Sequence, residues 1–580
     1  MLNTSNDQRK LLPNFDQLFT STARAPGGVA RLRELILTLA VQGKLVPQDA
    51  NDEPASELLK KIRAEKDRLI AEGKIKKDKP LTVLGDEEKP FDLPAGWEWV
   101  GFRDIGDWAI GSGFPKNIQG NNNLPYPFIK VSDMNLEGNE KFIINANNYV
   151  SDEDIKNFKI NIHKPGTVIF PKIGGAIATN KRRILSNKTA IDNNCLGITP
   201  NSSFESEYLY LFLCSIDFTK YQVGTSVPAL SQGTLEKILF GLPPLAEQSR
   251  IVTRVEELMG LCDALEEKGR LEHAQHQQLL QAMLDSLTKT QSAQELARHW
   301  QRLAQHFDLL IDRPEAVDAL EQTILQLAVR GLLVAQDAND EPASELLKKI
   351  RSEKDRLIAE GEIKREKPLP SISDEKKPFC VPSSWKWVHL QDICTQITDG
   401  THQTPAYTEL GRPFLSAKNI KPFRFSPYPH RTVSEEHFHA LRKGRVPEFG
   451  DILMTRVGAM IGEAAEIDID IEFAFYVSLS LLKLPKSFVF SKFLVMWLNS
   501  PYGTSNSIEK TLGRGVSAGN LNLSFIRSFA IPFPPLAEQS RIVARVTELR
   551  ALCQQLRDKL TQARSTQTQL AQTWVEQAAA

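Results

Sequence analysis

The sequence predicts an α+β protein in which two globular domains alternate with long helices. Residues 44–73 and 332–361 are identical at all but three positions, at an offset of 288 residues. A second repeat relates residues 242–258 to 533–549, at an offset of 291. The segments between these repeats differ almost throughout, and heptads follow the second repeat in both copies. A repeat of this length indicates that the whole chain is a duplication with two variable domains.

The composition predicts a soluble globular protein and excludes several classes. Lys and Arg together number 71, as do Asp and Glu, so any nucleic-acid contact would depend on local basic clusters. No apolar run approaches the ~18 residues of a membrane span, and the first residues lack an apolar signal core. The six cysteines form no CxxC pair, so we expect no zinc site or disulfide framework. We therefore expect a cytoplasmic protein.

The first repeat predicts two helices in each copy. Residues 35–46 and 323–334 place apolar side chains at helical spacing. A second helix follows Asp52-Glu53-Pro54, because a proline and acidic residues favour a helix start, and Gly73 favours its end. The basic run at 74–80 is typical of a solvated linker, with contact to DNA as the alternative.

Each copy then enters its variable domain through a pair of tryptophans. Trp97 and Trp99 alternate, as do Trp385 and Trp387, which predicts a strand with one buried face. Short β-like runs broken by Gly and Pro follow, together with helical patches. This pattern favours α+β domains of about 150 residues.

The second repeat opens a helix with an a/d heptad seam in each copy. We expect these seams to pair as an antiparallel coiled coil. In the first copy the seam resumes at Leu279, and in the second copy it continues to Leu570 and Trp574. The predicted seam residues, including two cysteines read as small buried apolar residues, are Ile251, Val255, Leu258, Cys262, Leu265, Ile542, Val546, Leu549, Cys553 and Leu556.

The connecting segments indicate a duplication that closes on itself. The stretch from Ile251 to Gln322 contains 72 residues. The two stretches Ile542–Ala580 and Met1–Glu34 together contain 73. Joined end to end, the terminal stretches would therefore match the middle connector to within one residue. This predicts a pseudo-twofold circular organisation, with one continuous connector and one completed by the two termini.

Motifs for catalysis are missing from the sequence. It contains no GxxxxGK[ST] phosphate loop, no HExxH and no GxSxG. The prolines at 243–244 and 534–535 lack the polar and aromatic flanks of the tetrapeptide with which amino-methyltransferases grip adenine. The glycines at 111 and 113 indicate a turn better than a cofactor site. We therefore expect a binding protein with two differently specific domains.

Local basic clusters supply candidate DNA contacts. An arginine beside a glycine can reach a guanine edge or clamp a phosphate. For each single side chain, a surface charge or an ion pair within the domain remains the alternative. The candidates are Lys172, Lys181, Arg182, Arg183, Lys418, Arg442, Lys443, Arg456 and Arg514.

These features together resemble the specificity subunit of type I restriction–modification enzymes, over essentially the whole chain. The resemblance lies in PPLAEQSRIV (243–252 and 534–543), the duplicated QDANDEPASELLKKIR block and the Trp-x-Trp-Val segments. It implies two target recognition domains, each reading half of a bipartite site in double-stranded DNA. It also implies helices that set the gap between half-sites and dock two modification (methyltransferase) subunits.

The resemblance places the chemistry on partner chains. Modification subunits would bind S-adenosylmethionine and methylate adenine N6, and restriction (motor–nuclease) subunits would use ATP and Mg²⁺. No cofactor or metal is expected on this chain, and no membrane contact. The individual base-reading residues do not carry over, because no motif of the family marks them.

The expected domains follow from these boundaries. They are a helical region at 1–94, target recognition domain 1 at 95–245, a central helical region with the second repeat at 246–382, target recognition domain 2 at 383–535, and a coiled-coil helix at 536–580. Two alternatives stay open: a nuclease with duplicated catalytic domains, and a coiled-coil scaffold or adaptor without DNA specificity. The nuclease would need acidic metal-binding clusters at equivalent positions, and Asp133 and Asp451 do not correspond.

Overall fold

The computed structural model describes residues 15–73, 91–224, 227–290, 292–511 and 519–579. The chain divides into two compact units. Unit 1 contains the residues up to Leu271 together with Arg564–Ala580, and unit 2 contains Glu272–Ala563. Both ends of the sequence thus contribute to unit 1, as the closed duplication predicts. The basic run at 74–80 lies outside the described residues.

Unit 1 opens with helices from the repeated segment, namely α1 (Phe15–Arg24), α2 (Gly28–Val41) and α3 (Ala55–Ala71). Leu32 and Ile36 of α2 lie in the core of the unit. Helix α3 begins directly after Pro54, with Glu57 in its first turn near the positive end of the helix dipole. The two helices predicted in this repeat are confirmed.

The variable domain of unit 1, here called head 1, spans 95–245 and combines short strands with short helices. Its helices are α4 (Phe102–Ile105), α5 (Asp152–Phe158), α6 (Ser206–Ser215) and α7 (Gln232–Leu235). Its strands are β1 (Glu98–Gly101), β2 (Gly106–Ile110), β3 (Tyr126–Ile129), β4 (Phe142–Ile143), β5 (Tyr149–Val150), β6 (Ile162–His163), β7 (Val168–Pro171), β8 (Arg183–Leu185), β9 (Thr189–Ile191), β10 (Cys195–Pro200) and β11 (Leu239–Leu242).

In residues 95–224 and 227–245, head 1 contains three sheets. The first and last strands, β1 and β11, form an antiparallel pair, so the chain enters and leaves the head side by side. The largest sheet has the order β2-β10-β7-β8-β4, and a four-stranded sheet has the order β5-β3-β9-β6. Strand β7 is buried on both faces, which explains its continuous apolar run.

Unit 2 repeats this plan. Its helical elements are α9 (Ala293–Gln305), α10 (Phe307–Leu310), α11 (Pro314–Val329) and α12 (Ala343–Ala359). The helices of its variable domain, here called head 2 (383–535), are α13 (Leu390–Ile393), α14 (Glu435–Arg442), α15 (Ser491–Leu498), α16 (Pro501–Glu509) and α17 (Leu523–Arg527).

The strands of head 2 only partly match those of head 1. They are β12 (Lys386–His389), β13 (Gln396–Asp399), β14 (Tyr407–Thr408), β15 (Arg412–Leu415), β16 (Ile420–Lys421), β17 (Arg424–Phe425), β18 (Arg431–Val433), β19 (Ile452–Thr455), β20 (Ala464–Glu466), β21 (Ala474–Phe475), β22 (Leu479–Lys483) and β23 (Ala530–Phe533). Strands β12 and β23 pair antiparallel, like β1 and β11. The other sheets have the orders β13-β22-β19-β20, β14-β18-β15-β21 and β16-β17.

Two helices of 44 residues each, named α8 and α18, follow the heads. They are Leu245–Thr288 and Leu536–Ala579. In unit 1, Ile251, Val255, Leu258 and Cys262 are at most 1% exposed and share a core cluster with α2. In unit 2, Ile542, Val546 and Cys553 share a core cluster with α11. The α+β architecture with long helices is confirmed, and so is the burial of these seam positions.

The distal part of each seam is shifted from its predicted phase. Leu279 is 56% exposed and Leu570 is 48% exposed, whereas Leu280 and Ala571 are buried. The heptad extrapolation was therefore wrong beyond the middle of each helix. An unsupercoiled helix drifts by about 20° per heptad relative to a 3.5-residue repeat, so the buried face moves to a neighbouring position.

The duplicated polar residues join each head to the start of its long helix. In unit 1, Trp97 Nε1 donates to Glu247 Oε2 at 3.0 Å, and Gln48 Nε2 donates to Glu247 Oε1 at 2.8 Å. Arg250 pairs with Asp52 at 2.5 Å. Unit 2 repeats these contacts with Trp385, Gln336, Glu538, Arg541 and Asp340. The near-identity of the repeats therefore reflects one hydrogen-bonded joint, made twice.

Candidate nucleic-acid interface

The carboxyl ends of four strands meet at one edge of head 1. Strands β2 and β7 both run antiparallel to β10, which lies between them, so they end on the same side. Strands β3 and β9 are parallel to each other. A bridge between Ser112 and Asp192 joins the two sets. Loops held by a rigid scaffold of strands are where proteins commonly carry their binding residues.

Head 2 forms the same edge from β13, β15, β19 and β21. Strands β13 and β19 both run antiparallel to β22, and β15 is parallel to β21. A bridge between Thr401 and Tyr476 takes the place of the one between Ser112 and Asp192. We call these segments the strand-end loops: residues 111–113, 130–133, 172–174 and 192–194 in head 1, and 400–402, 416–419, 456–458 and 476–478 in head 2.

Backbone hydrogen bonds fix both sets of loops in the same arrangement. Each bond in head 1 has a counterpart in head 2 between residues that occupy the same place in the fold. The matched donor and acceptor pairs are Ser112 N–Ile191 O (2.8 Å) with Thr401 N–Phe475 O (3.1 Å), Asp192 N–Ile129 O (3.0 Å) with Tyr476 N–Leu415 O (2.9 Å), and Lys172 N–Asn194 O (2.8 Å) with Arg456 N–Ser478 O (2.9 Å).

A glycine is required at the same crossing in both heads. A Cβ atom on Gly111 would lie 1.9 Å from the carbonyl oxygen of Asp192. A Cβ atom on Gly400 would lie 2.2 Å from the carbonyl oxygen of Phe475. Because both neighbours are backbone atoms, neither can move aside without breaking the loop arrangement. The structure therefore explains Gly111 by this close approach, whereas the sequence indicated only a turn at this position.

The side chains on this common backbone differ at almost every position. Lys172 corresponds to Arg456, Asp192 to Tyr476, and Gly113 to His402. Ile110, just before the first loop, corresponds to Asp399. A constant backbone with variable side chains is the arrangement expected of a surface that reads two different sequences.

Three predicted DNA contacts lie on the strand-end loops. Lys172 follows β7 and is partly exposed, and Lys418 is exposed in the short turn Ala417–Asn419. Their ammonium groups have no hydrogen bond or ion pair within the part of the chain that the structure describes. Both are therefore free to contact a phosphate. Arg456 also lies on these loops, but in a different environment.

Arg456 is a buried structural residue, which corrects its assignment as a direct DNA contact. Its side chain is 6% exposed and forms an ion pair of 2.6 Å with Asp399. Its other bonds go to the carbonyl oxygens of Leu521 (3.0 Å) and Val477 (3.2 Å) and to Asn520 Oδ1 (3.1 Å). Burial lowers the pKa of the guanidinium, and Asp399 opposes that shift. The side chain holds loops together and does not face solvent.

Arg182 is likewise a core residue, and its predicted DNA contact is corrected for the same reason. It is 1% exposed, with its guanidinium 3.9 Å from the ring centroid of Phe218. Its donors bond the carbonyl oxygens of Leu213 (3.1 Å) and Ile216 (3.2 Å). Burial lowers its pKa to about 10, because the charged form loses its water.

The neighbours of Arg182 face outward to different degrees. Lys181 Nζ contacts Asn135 Oδ1, next to a strand-end loop. Arg183 is partly buried and donates to the carbonyl oxygen of Met134 at 2.8 Å. Burial lowers the pKa of Arg183. These two side chains border the strand-end loops of head 1 and stay candidates.

The remaining predicted cations lie elsewhere in head 2. Arg442, at the end of α14, pairs with Glu472 at 3.0 Å and stacks 4.9 Å from the ring of Phe438. Lys443 follows it and is exposed. Arg514 lies outside the described residues.

His402 is an exposed side chain of the strand-end loops that was not among the candidates from the sequence. Its side chain is 71% exposed, and its Nε2 lies 3.1 Å from Asp399 Oδ2. A lone histidine in a loop carries no charge pattern, so composition gave no signal. The alignment of the two heads through Gly111 and Gly400 would have located it two residues beyond the invariant crossing.

Comparison with known proteins identifies the family. Residues 94–275 and 382–563, together more than half of the chain, match the model of the type I restriction modification DNA specificity domain. The chain belongs to this family. Each matched stretch of the specificity protein contains one head and the first part of a long helix, and the two stretches begin at the same 288-residue offset as the repeat.

Curated relatives agree with this assignment. The specificity protein is 36% identical over 565 residues to the type I restriction enzyme EcoAI specificity subunit of Escherichia coli, covering 94% of this chain and 92% of that one. It is 34% identical to the EcoEI specificity subunit of Escherichia coli, covering 94% and 93%. The family assignment gives this chain two recognition domains and a role in DNA-binding specificity.

A solved structure is similar over most of its length. The crystal structure of the HsdS subunit from Thermoanaerobacter tengcongensis matches 84% of the specificity protein and 98% of that chain, with 19% identity and a TM-score of 0.40. Among the described residues, no helix of the specificity protein is long and apolar enough to cross a bilayer.

Proposed function

We propose that this chain is the non-catalytic, DNA-reading subunit of a type I restriction–modification complex. Head 1 and head 2 each read one half of a bipartite site in double-stranded DNA. Helices α8 and α18 set the gap between the half-sites and dock two modification subunits. Restriction subunits complete the assembly.

The observation that carries this proposal is the pair of matching strand-end loops. The same backbone hydrogen bonds recur in both heads, yet the side chains on them differ. The same Trp–Glu–Gln joint attaches each head to a helix of 44 residues. Two domains of similar fold, each attached in the same way to a helix of the same length, suit a DNA target made of two separate, different half-sites.

We propose that exposed lysines of the heads contact the DNA backbone. Lys172 and Lys418 lie on the strand-end loops, and Lys443 lies at the end of α14. Lysine ammonium groups bind phosphates as point charges and so add affinity without reading sequence. Lys181, Arg183 and Arg442 would lie at the border of this contact. The formal net charge of the chain is zero, so partner subunits would share the task of enclosing the DNA.

The chemistry would come from those partners. We propose that S-adenosylmethionine binds to the modification subunits, which methylate adenine N6, and that ATP and Mg²⁺ serve the restriction subunits. The sequence of this chain contains neither a phosphate loop nor the methyltransferase tetrapeptide. The EcoAI and EcoEI relatives are specificity subunits by name.

The decisive experiment is to map methylation by the assembled complex. The chain is purified with its modification subunit and incubated with S-adenosylmethionine and DNA of random sequence. We expect methylated adenines in a single bipartite sequence with a fixed gap. The isolated chain should methylate nothing. Methylation by the isolated chain, or methylation without sequence preference by the complex, would contradict the proposal.

A head exchange tests the division of labour. Residues 101–241 are replaced by the corresponding segment of a relative, with cuts in the paired strands β1 and β11. We expect one half-site to change while the other half-site and the gap stay the same. The matched control exchanges residues 389–532, which should change only the other half. A change in both halves from one exchange would refute the modular reading.

A further inference from the structure

An exposed histidine of head 2 is held in place by a buried ion pair. His402 lies two residues beyond Gly400 on a strand-end loop, and its Nε2 lies 3.1 Å from Asp399 Oδ2. The same carboxylate oxygen accepts a hydrogen bond of 2.6 Å from Arg456 Nη1. The side chains of His402, Asp399 and Arg456 are 71%, 14% and 6% exposed, respectively. The three side chains form a hydrogen-bonded series that leads from the core of head 2 to its surface.

The buried end of this hydrogen-bonded series is held by several bonds. Arg456 is fixed by the carbonyl oxygens of Leu521 and Val477 and by Asn520 Oδ1. A charge-assisted bond to a fixed guanidinium restricts the Asp399 carboxylate. The carboxylate in turn accepts the Nε2–H bond of His402, which sets the orientation of the ring. Nδ1 of His402 has no protein partner within the described part of the chain.

Head 1 has no equivalent of this hydrogen-bonded series at the corresponding backbone positions. Gly113 stands at the position of His402, and Ile110, which is 46% exposed, stands at that of Asp399. Lys172 occupies the position of Arg456 but forms no ion pair with a described residue. Head 1 thus has no side chain at the position of His402, and at the position of Arg456 it has a lysine without an ion pair to any described residue. A fixed hydrogen-bonding group can discriminate between base edges, whereas a flexible charge mainly contacts phosphate.

We propose that His402 contacts a base edge in the half-site read by head 2, and that Asp399 and Arg456 position it. This inference rests on the proposed function, because it assigns one contact within the head 2 half-site. Its chemical partner is a hydrogen-bonding group of a base in the DNA groove, reached through Nδ1. Arg456, although its own guanidinium is buried, would then support base reading through Asp399.

The test is methylation mapping with the His402→Ala complex on random DNA. We expect discrimination to fall by about tenfold or more at one base pair of the head 2 half-site, with the other half-site unchanged. The matched control is His439→Ala. His439 is also an exposed histidine beside a carboxylate, with Nε2 3.2 Å from Glu435, but it lies on α14 outside the strand-end loops. Because the proposed backbone contact Lys443 is four residues further along, this control is read by base preference alone, and it should keep every base preference of the site.

A second variant tests the positioning role. Asp399→Asn keeps the shape of the side chain but removes its charge, so the same base pair should lose discrimination. Because Arg456 then lacks its counter-ion, the variant could also lose stability, so its thermal midpoint is measured in parallel. The deciding result is whether discrimination falls at the same base pair as in His402→Ala. Restoring the site with Asp399→Glu would support positioning by the carboxylate.

The outcomes separate this inference from the proposed function. If the wild-type complex marks no bipartite site, the proposed function fails. If the wild-type complex marks one but His402→Ala keeps every base preference, the inference fails alone. Uniform weakening on all sequences would identify a phosphate contact and would also overturn base reading by His402. A loss of preference in the head 1 half-site would overturn it as well.

Discussion

The indole nitrogen of Trp97 donates a hydrogen bond of 3.0 Å to Glu247, 150 residues further along the chain. Trp385 donates the same bond to Glu538 at 2.9 Å. The tryptophan marks the entrance of a head and the glutamate marks the start of the helix that leaves it. Each bond therefore closes a head onto its own support.

The buried glutamate of this joint predicts a pH-dependent stability. Burial raises the pKa of Glu538, although Trp385 and Gln336 oppose the shift by hydrogen bonding. A carboxyl with a raised folded-state pKa contributes stability that is fully present below its usual pKa, about 4.3, and is lost as pH rises through the raised pKa. We expect the thermal midpoint of Glu538→Gln, relative to wild type, to increase from pH 4 to pH 7.

The control for this experiment is Glu548→Gln, an exposed side chain of the same helix that pairs with Arg545 at 2.6 Å. Its midpoint relative to wild type should not follow that trend. A constant difference between Glu538→Gln and wild type over the whole range would show that Glu538 does not titrate between those limits.

Alanine in place of Gly111 or Gly400, the glycine that passes close to a neighbouring loop in each head, should destabilise that head. In Gly400→Ala the new methyl group would meet the carbonyl oxygen of Phe475, and in Gly111→Ala that of Asp192. We expect each to lower the free energy of unfolding by about 1–3 kcal/mol, because a backbone atom must move. Denaturant titration measures the change. Gly260→Ala is the control: it lies in α8 with open space around it, so it should be neutral or stabilising.

Arg182 should affect stability without affecting the salt dependence of DNA binding. Arg182→Ala leaves the carbonyl oxygens of Leu213 and Ile216 without their donor, which should cost about 1–3 kcal/mol of unfolding free energy. The logarithm of affinity against the logarithm of salt concentration should keep its slope in the assembled complex. A smaller slope with unchanged stability would place this side chain on the DNA.

Lys172 should behave in the opposite way. If its ammonium contacts a phosphate, Lys172→Ala should reduce the magnitude of the salt slope by about one and weaken binding equally on all sequences. Its thermal midpoint should stay near that of wild type, because Lys172 makes no ion pair with the described residues. Lys156→Ala, exposed on α5, is the matched control and should leave the slope unchanged. An unchanged slope in Lys172→Ala would remove this residue from the interface.

The length of the helices should set the gap between half-sites. Inserting seven residues after Arg270 in α8, and seven after Thr561 at the equivalent place in α18, adds about 10 Å to each helix. At ~3.4 Å per base pair this corresponds to about three base pairs. Methylation mapping should show a gap widened by that amount with both half-sites unchanged. A complex that keeps the original gap would show that other elements determine it.

The sequence predicted the repeated helices of this protein far better than the side chains of its strand-end loops. Identity between the repeats located the helices. It also covers Gln48, Trp97 and Glu247, but only the structure shows that these residues are joined by hydrogen bonds.

Charge counting failed for Arg182 and Arg456. Arg182 turns inward because carbonyl oxygens of Leu213 and Ile216 accept its hydrogen bonds. Arg456 turns inward toward Asp399. A basic cluster in a sequence does not show which way each of its members faces.

The phase of the seam failed for a related reason. Cys262 and Leu280 are both buried, but the residues between them are largely exposed, so no continuous contact carries the heptad register from one to the other. His402 could not be found by charge at all. It became visible only when two backbones with little sequence identity were superimposed through their shared hydrogen bonds.

The membership of residues 564–580 in unit 1 has a consequence for synthesis. Arg31 Nε bonds Gln572 Oε1 at 3.0 Å, so a helix made early contacts one made last. Unit 1 therefore stays incomplete on the ribosome until Gln572 and its neighbours in α18 have emerged, although its head is translated much earlier. A nascent chain interrupted anywhere in unit 2 would display its first head without the segment of α18 that completes unit 1.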